Sequence, residues 1–124
     1  MNPKFTINIY TGYFEVSLQG EITLLDYAQL MQKVGTAYPD LPKNLRVLGI
    51  DNGATFTFKS SDALLISEMR EAIVNRFESV KHAYVVSDPK NTALAMLTSS
   101  AMTSSNYMVE IFETKEAAIN WLRL

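Results

Sequence analysis

The 124-residue chain is 48% apolar and 19% charged, the profile of one folded domain able to bury roughly two-thirds of its unfolded surface. A net charge of −2 with scattered basic residues leaves no footprint for a phosphate backbone, so nucleic-acid binding is not expected. Zero cysteines exclude disulfides, thiolate nucleophiles and zinc–thiolate sites, and fit a reducing cytoplasm.

Met1 to Phe5 lead into alternating residues rather than a continuous apolar stretch, so no secretory signal is expected. Phe5, Ile7 and Ile9 alternate with polar neighbours, and so do Phe14, Val16 and Leu18 beyond Thr11-Gly12, which predicts an N-terminal β-hairpin ended by Gly20. Thr23 to Asp26 has capping-box spacing, and Tyr27, Leu30, Met31, Val34 and Tyr38 share the face of the helix that follows. Pro39-Asp40-Leu41-Pro42 should stop that helix. Leu45 to Ile50 reads as a buried strand, with Asp51-Asn52-Gly53 as the turn after it.

Ser60, Ser61 and Asp62 precede a long helix whose predicted buried stripe is Leu65, Met69, Ile73, Phe77 and Val80. Ala83 to Val86 is the next strand, with His82 at its entrance as a surface residue. Asp88-Pro89 starts a helix with Leu94, Leu97, Thr98 and Ala101 on one face, and Thr103 to Asn106 breaks it. A strand from Met108 to Phe112 and a helix from Lys115 to Leu122 read as the end of the domain. None of the apolar runs, such as Ala93 to Leu97, approaches the ~20 residues needed to span a bilayer. The predicted order is β-β-α-β-α-β-α-β-α: an α/β fold of one domain over residues 1–124, with a hairpin and then a mostly parallel sheet flanked by helices.

Four segments, taken in order, carry a family likeness. They are Leu18-Gln19-Gly20-Glu21-Ile22-Thr23, Asp51-Asn52-Gly53-Ala54-Thr55-Phe56, His82 to Pro89 leading into Ala93-Leu94-Ala95-Met96, and Val109 to Phe112 through Ala117 to Leu122. Together they resemble the STAS fold (sulphate transporter and anti-sigma-factor antagonist) in its small stand-alone SpoIIAA-like branch. The resemblance implies a non-enzymatic regulatory module acting through protein contact. In the antagonists a phosphorylatable serine lies in an Asp-Ser-Ser-Gly motif after the third strand. Here Asp51 is followed by Asn-Gly, and Ser60-Ser61 comes later without a Gly behind it, so the partner switch does not carry over.

Ser60 and Ser61 are candidate phosphoacceptors at a helix start, a place where cap preference alone also puts serine. Asp51 and Asp88 should both lie at the carboxyl edge of the sheet, where with Asn52 or Asn91 they offer oxygens for Mg²⁺. Turn and cap chemistry explains the same residues, so a metal-assisted enzyme is an outsider and no metal or cofactor is expected. No nucleophile elbow or phosphate-binding glycine motif occurs. The loop from Asp51 through Asn52, Phe56 and Phe58 to Asp62 is the candidate surface for a protein partner or a second copy, with the two phenylalanines as anchors. The alternative is a carrier or sensor for a small apolar ligand such as a lipid, since relatives are also likened to lipid-transfer folds. Its candidate lining is Met31, Met69, Met96, Met102 and Met108 with Phe56, Phe58, Tyr84 and Tyr107, although most of these sit on predicted core stripes. It predicts a cavity beneath Met96 and Met102.

Overall fold

The computed structural model describes residues 4–36, 41–86 and 88–124. Strands β1 (Phe5–Tyr10) and β2 (Tyr13–Ile22) form the hairpin, closed through Gly12 at φ +92°. Helix α1 (Leu24–Thr36), β3 (Asn44–Phe56), α2 (Ala63–Val74), β4 (Ser79–Val85), α3 (Pro89–Ser100), β5 (Tyr107–Phe112) and α4 (Lys115–Leu122) follow. The five strands are ordered β1-β2-β3-β4-β5; the first pair is antiparallel and the others parallel. This is the α/β architecture expected from the sequence.

The order of the sheet dictates the layers. Each parallel step moves the same way across the sheet, so right-handed crossovers place α1, α2 and α3 side by side on one face. Helix α1 packs on α2 and α2 on α3. Helix α4 follows the last strand and returns over β3, β4 and β5 on the opposite face. There Leu48, Ala83, Ala118 and Leu122 are all 0% exposed, ringed by Ile50, Val85, Phe112, Ile119 and Trp121. The carbonyls at the end of α4 accept from cations on the sheet: Lys81 Nζ donates to Trp121 O at 3.0 Å, and Arg46 donates to Leu122 O. That is the end of the helix dipole where positive charge is favoured. Glu15, nearly buried on β2, pairs with Lys115 Nζ at 2.8 Å and ties the start of α4 to the sheet.

Local chemistry sets the helix starts. The Thr23 N–H and hydroxyl both donate to Asp26 Oδ2 at 2.9 Å, and the Asp26 N–H donates back to Thr23 Oγ1 at 3.1 Å, the reciprocal bonds predicted for α1. Thr114 Oγ1 accepts from the Ala117 N–H at 3.2 Å and caps α4. Asp88 is the extended cap residue before Pro89 of α3. The expected stop at Pro39-Asp40, and Tyr38 on the face of α1, lie outside the described residues.

Four expectations need correction. Asp51-Asn52-Gly53 does not end β3. Leu18 pairs with Asp51 and Gly20 with Ala54, so β3 takes three steps where β2 takes two and carries a bulge, with Gly53 at φ +79°. The strand then continues to Phe56, beside Ile22. On α2 the buried set is Ala63, Ile66, Ser67 and Val74, one position on from the predicted stripe, and Leu65 is exposed. On α3 the buried set is Asn91, Ala95 and Thr98, so Leu97 faces outward. Finally, β4 begins at Ser79, which puts His82 in the middle of a central strand rather than on the surface at its entrance.

Candidate functional site

The face under α1, α2 and α3 is packed differently from the face under α4. Phe14, Val16, Leu45 and Val80 from the sheet meet Leu30, Val34, Val74 and Phe77 in one buried cluster. Between this cluster and the bulge of β3 lies a cavity of about 130 Å³. Most of its wall is apolar, including Val16, Leu18, Leu30, Val47, Ile66, Leu94 and Ala95.

One part of the wall is polar, and it draws on every layer of this half of the molecule. Arg70 of α2 donates from Nε to Tyr27 Oη of α1 at 2.5 Å, and from a terminal nitrogen to Thr98 Oγ1 of α3 at 3.1 Å. Its guanidinium lies 5.6 Å from the Tyr27 ring centre and 5.3 Å from that of Tyr84 on β4. The His82 ring stacks on Tyr84 at 4.0 Å, and its Nδ1 is 2.8 Å from the Tyr107 hydroxyl of β5. Gly49 makes the stack possible: a Cβ there would come within 3.2 Å of His82 Nε2 and 3.3 Å of the Tyr84 ring.

The electrostatics of this group follow from burial. Burial, and then the neighbouring Arg70 charge, hold the His82 imidazolium well below the usual histidine range, so the ring is neutral at pH 7. Burial lifts the Tyr107 phenol to about 12 and the Tyr84 phenol well above the ordinary value, against the opposing pull of Arg70. A guanidinium stays charged at any working pH. The cluster is thus one fixed cation surrounded by neutral rings and hydroxyls. The Thr98 hydroxyl donates to the Leu94 and Ala95 carbonyls at 3.0 and 3.2 Å, so it is committed to α3. Such a constellation can hold and orient a ligand.

The predicted site residues fall into distinct places. Phe56 and Phe58 are half-buried, 5.3 Å apart, with Phe58 edge-on to Tyr27 at 5.8 Å; both line the cavity. Asp51 sits in the bulge, where Oδ1 accepts from the Ala54 N–H at 2.8 Å and Oδ2 from Asn91 Nδ2 at 2.6 Å. Asn91 also donates to the Ala54 carbonyl at 2.9 Å, which fastens the bulge to the first turn of α3. Asn52 and Asp88 are exposed. Ser60 and Ser61 are exposed in a single 3₁₀ turn, Ser60–Asp62, where the Asp62 carboxylate accepts from the Lys59 N–H at 2.9 Å. Ser60 borders a shallow groove with Phe56, Phe58 and Lys90. Met96 is 59% exposed, and Met102 packs half-buried against the apolar cluster; neither lines the cavity, because α3 turns Asn91, Ala95 and Thr98 inward. Among the described residues no group of three or more His, Asp or Glu side chains is placed to hold a metal ion.

Of the aromatics the sequence offers for an apolar pocket, Phe56, Phe58, Tyr84 and Tyr107 all line the cavity; sequence reasoning missed Arg70, Tyr27 and Thr98, which join them. A signal was present: Arg70 stands midway between Ile66 and Val74 at four-residue spacing, a charge inside an apolar stripe.

A family model described as SpoIIAA-like matches residues 13–123 of this chain. No curated protein matches. Among solved structures, an uncharacterised protein of the DUF3478 family with a SpoIIAA-like fold from Shewanella loihica PV-4 is 16% identical, with a TM-score of 0.65 over 95% of this chain and 91% of that one. The unphosphorylated anti-sigma factor antagonist SpoIIAA is 17% identical, with a TM-score of 0.59 over 96% and 97%. The phosphorylated form of SpoIIAA, the Bacillus cell fate determinant, is 17% identical, with a TM-score of 0.54 over 96% and 99%. At these identities the structural likeness speaks for the fold, and the match to nearly the whole sequence speaks for descent: the chain belongs to the SpoIIAA-like family.

Proposed function

We propose that this chain is a non-enzymatic regulatory module of the STAS type that senses a small apolar ligand held between its sheet and α1, α2 and α3. The cavity carries this reading. Native interiors are packed as densely as organic crystals, so a void of about 130 Å³ with a mainly apolar wall is a departure from ordinary core packing. An apolar cavity of roughly this size, on the order of 150 Å³, is able to take up benzene.

The cavity wall includes Phe56 and Phe58, which lie within the segment from Asp51 to Asp62 that the sequence offers as a partner surface. A ligand that shifts these two rings changes that surface, which is how occupancy would be communicated to a protein partner or a second copy of the chain. Ser60, in the groove beside the same rings, is where a phosphate would act on the same surface, and Ser61 adjoins it. We place this activity in the cytoplasm, in keeping with the cysteine-free composition. No described helix is long and apolar enough to cross a membrane.

Titration of the isotope-labelled chain with benzyl alcohol, followed by two-dimensional amide and methyl spectra, tests the reading. Saturable shifts should centre on Val16, Val47, Leu94 and Phe58. Shifts scattered over the surface without saturation would reject it. Filling the cavity with Ala95→Leu should abolish the response while preserving the fold.

A further inference from the structure

We infer that the ligand of this cavity is a small monoanion, a carboxylate carried on an apolar body of about the size of one aromatic ring, with its charged end on Arg70. The inference rests on the ligand-sensing reading above and specifies its chemistry.

The first observation is the state of Arg70. A guanidinium has five N–H donors, and hydroxyls of Tyr27 and Thr98 occupy two of them. The ion pairs among the described residues are Lys4 with Asp26 and Lys115 with Glu15, so Arg70 has no carboxylate partner among them. Removing a cation from water without a counter-ion is costly, and such charges are ordinarily paired. The residue is nevertheless held firmly, by bonds to α1 and α3 and by the faces of the Tyr27 and Tyr84 rings. A fixed fork with unused donors on a cavity wall matches the planar geometry of a carboxylate.

The second observation is the rest of the wall. Near Arg70, His82 carries no proton charge and the Tyr84 and Tyr107 phenols remain protonated. Asp51 is a carboxylate on the wall, but its oxygens are taken by the Ala54 N–H and by Asn91 at the bulge. The donors left on Arg70 therefore suit one carboxylate, and with the Asp51 charge also on the wall a dianion would be disfavoured beside the apolar surface. The volume of about 130 Å³ sets the body of the ligand at about one aromatic ring, roughly six carbons, in the present arrangement.

The test uses the full chain and matched pairs of probes: benzoate with benzyl alcohol, and hexanoate with hexanol, titrated calorimetrically at pH 7.5. The acids should bind at least tenfold more tightly than their alcohols. Arg70→Met should erase that preference while leaving alcohol binding in place, which also shows that the variant is folded. Should Arg70→Met fail to fold, Thr98→Val, which removes one group holding the guanidinium, should narrow the preference severalfold. Alcohols binding as well as the acids would overturn the anion assignment and leave the cavity reading standing. No binding of any probe would overturn both. Palmitate binding more tightly than benzoate or hexanoate would overturn the size class.

Discussion

The two faces of one sheet are built to opposite specifications. Under α4, Leu48, Ala83, Ala118 and Leu122 exclude solvent completely, and the helix is clamped at both ends, by Glu15 with Lys115 and by Arg46 and Lys81 on its last carbonyls. Under α1, α2 and α3 the sheet offers, beside the aliphatic Val16, Leu45 and Val80, the rings of His82 and Tyr84, a glycine at position 49, and a cavity next to the half-buried Arg70. The strands are shared, so the difference lies in which side chains alternate to each face. Both faces bury apolar side chains, but the one under α4 is closed while the other keeps a cavity beside its buried cluster.

The contrast can be broken most severely from the packed side. Leu122→Ala should cost about 2–5 kcal/mol, since it opens a hole in a region with no room to spare, as chemical denaturation would show. The same truncation at Leu94, which already borders the cavity, should cost clearly less. Equal losses would mean that the void is not a real difference between the faces. Gly49→Ala attacks the boundary between them. Its methyl group would press on His82 and Tyr84, and overpacking of this kind costs about 1–3 kcal/mol. The signature beyond stability is a shift in the near-ultraviolet tyrosine spectrum, which an equally destabilising change under α4 should not produce.

Acid sharpens the comparison further. His82 has its folded-state affinity for protons depressed, so below about pH 6.5 the unfolded chain binds a proton that the native state resists. Native stability should therefore fall as pH drops below that point, at a limiting slope of about 1.4 kcal/mol per pH unit. His82→Gln should flatten the profile between pH 6.5 and 5 in urea melts taken at each pH. A variant as steep as the parent would show that the imidazole is not shielded by its surroundings.

The architecture was legible because local rules and tertiary structure agree there. Alternation at Phe5, Ile7, Ile9 and at Phe14, Val16, Leu18 marks the hairpin, and Thr23 with Asp26 and Thr114 before Lys115 mark two helix starts. The site was less legible, for three physical reasons. A turn and a bulge use the same glycine at positive φ, and only the pairing of Glu21 and Ile22 with Thr55 and Phe56 shows that β3 goes on. Helix α2 carries two competing stripes, Leu65-Met69-Ile73 and Ile66-Arg70-Val74, and the choice between them depends on what the helix meets. Polar residues that face inward, Arg70 and His82, break the patterns used to find a core, and they are the residues that form the cluster.

If the roomier face is held less by packing, its helices should depend more on how their ends are fastened. The start of α1 is the place to ask. Thr23 and Asp26 satisfy each other's backbone N–H groups, and Asp26 also accepts from Lys4 Nζ at 2.9 Å. Lys4 first, then the Thr23 N–H, bring the Asp26 carboxyl down to about 2. A depressed carboxylate contributes stability above its ordinary value of 3.8, and that contribution is lost as pH falls toward about 2. Tyr27, whose hydroxyl holds Arg70, stands one position beyond this carboxylate and one helical turn beyond the threonine cap. Thr23→Ala should cost about 1 kcal/mol, a modest loss typical of a cap. Its effect should be uneven: amide exchange should quicken along α1 and around Tyr27 and Arg70, while α4 keeps its protection. Uniform quickening would mean that the two faces open as one unit, and that the looseness seen beneath α1 to α3 has no energetic independence from the packed side.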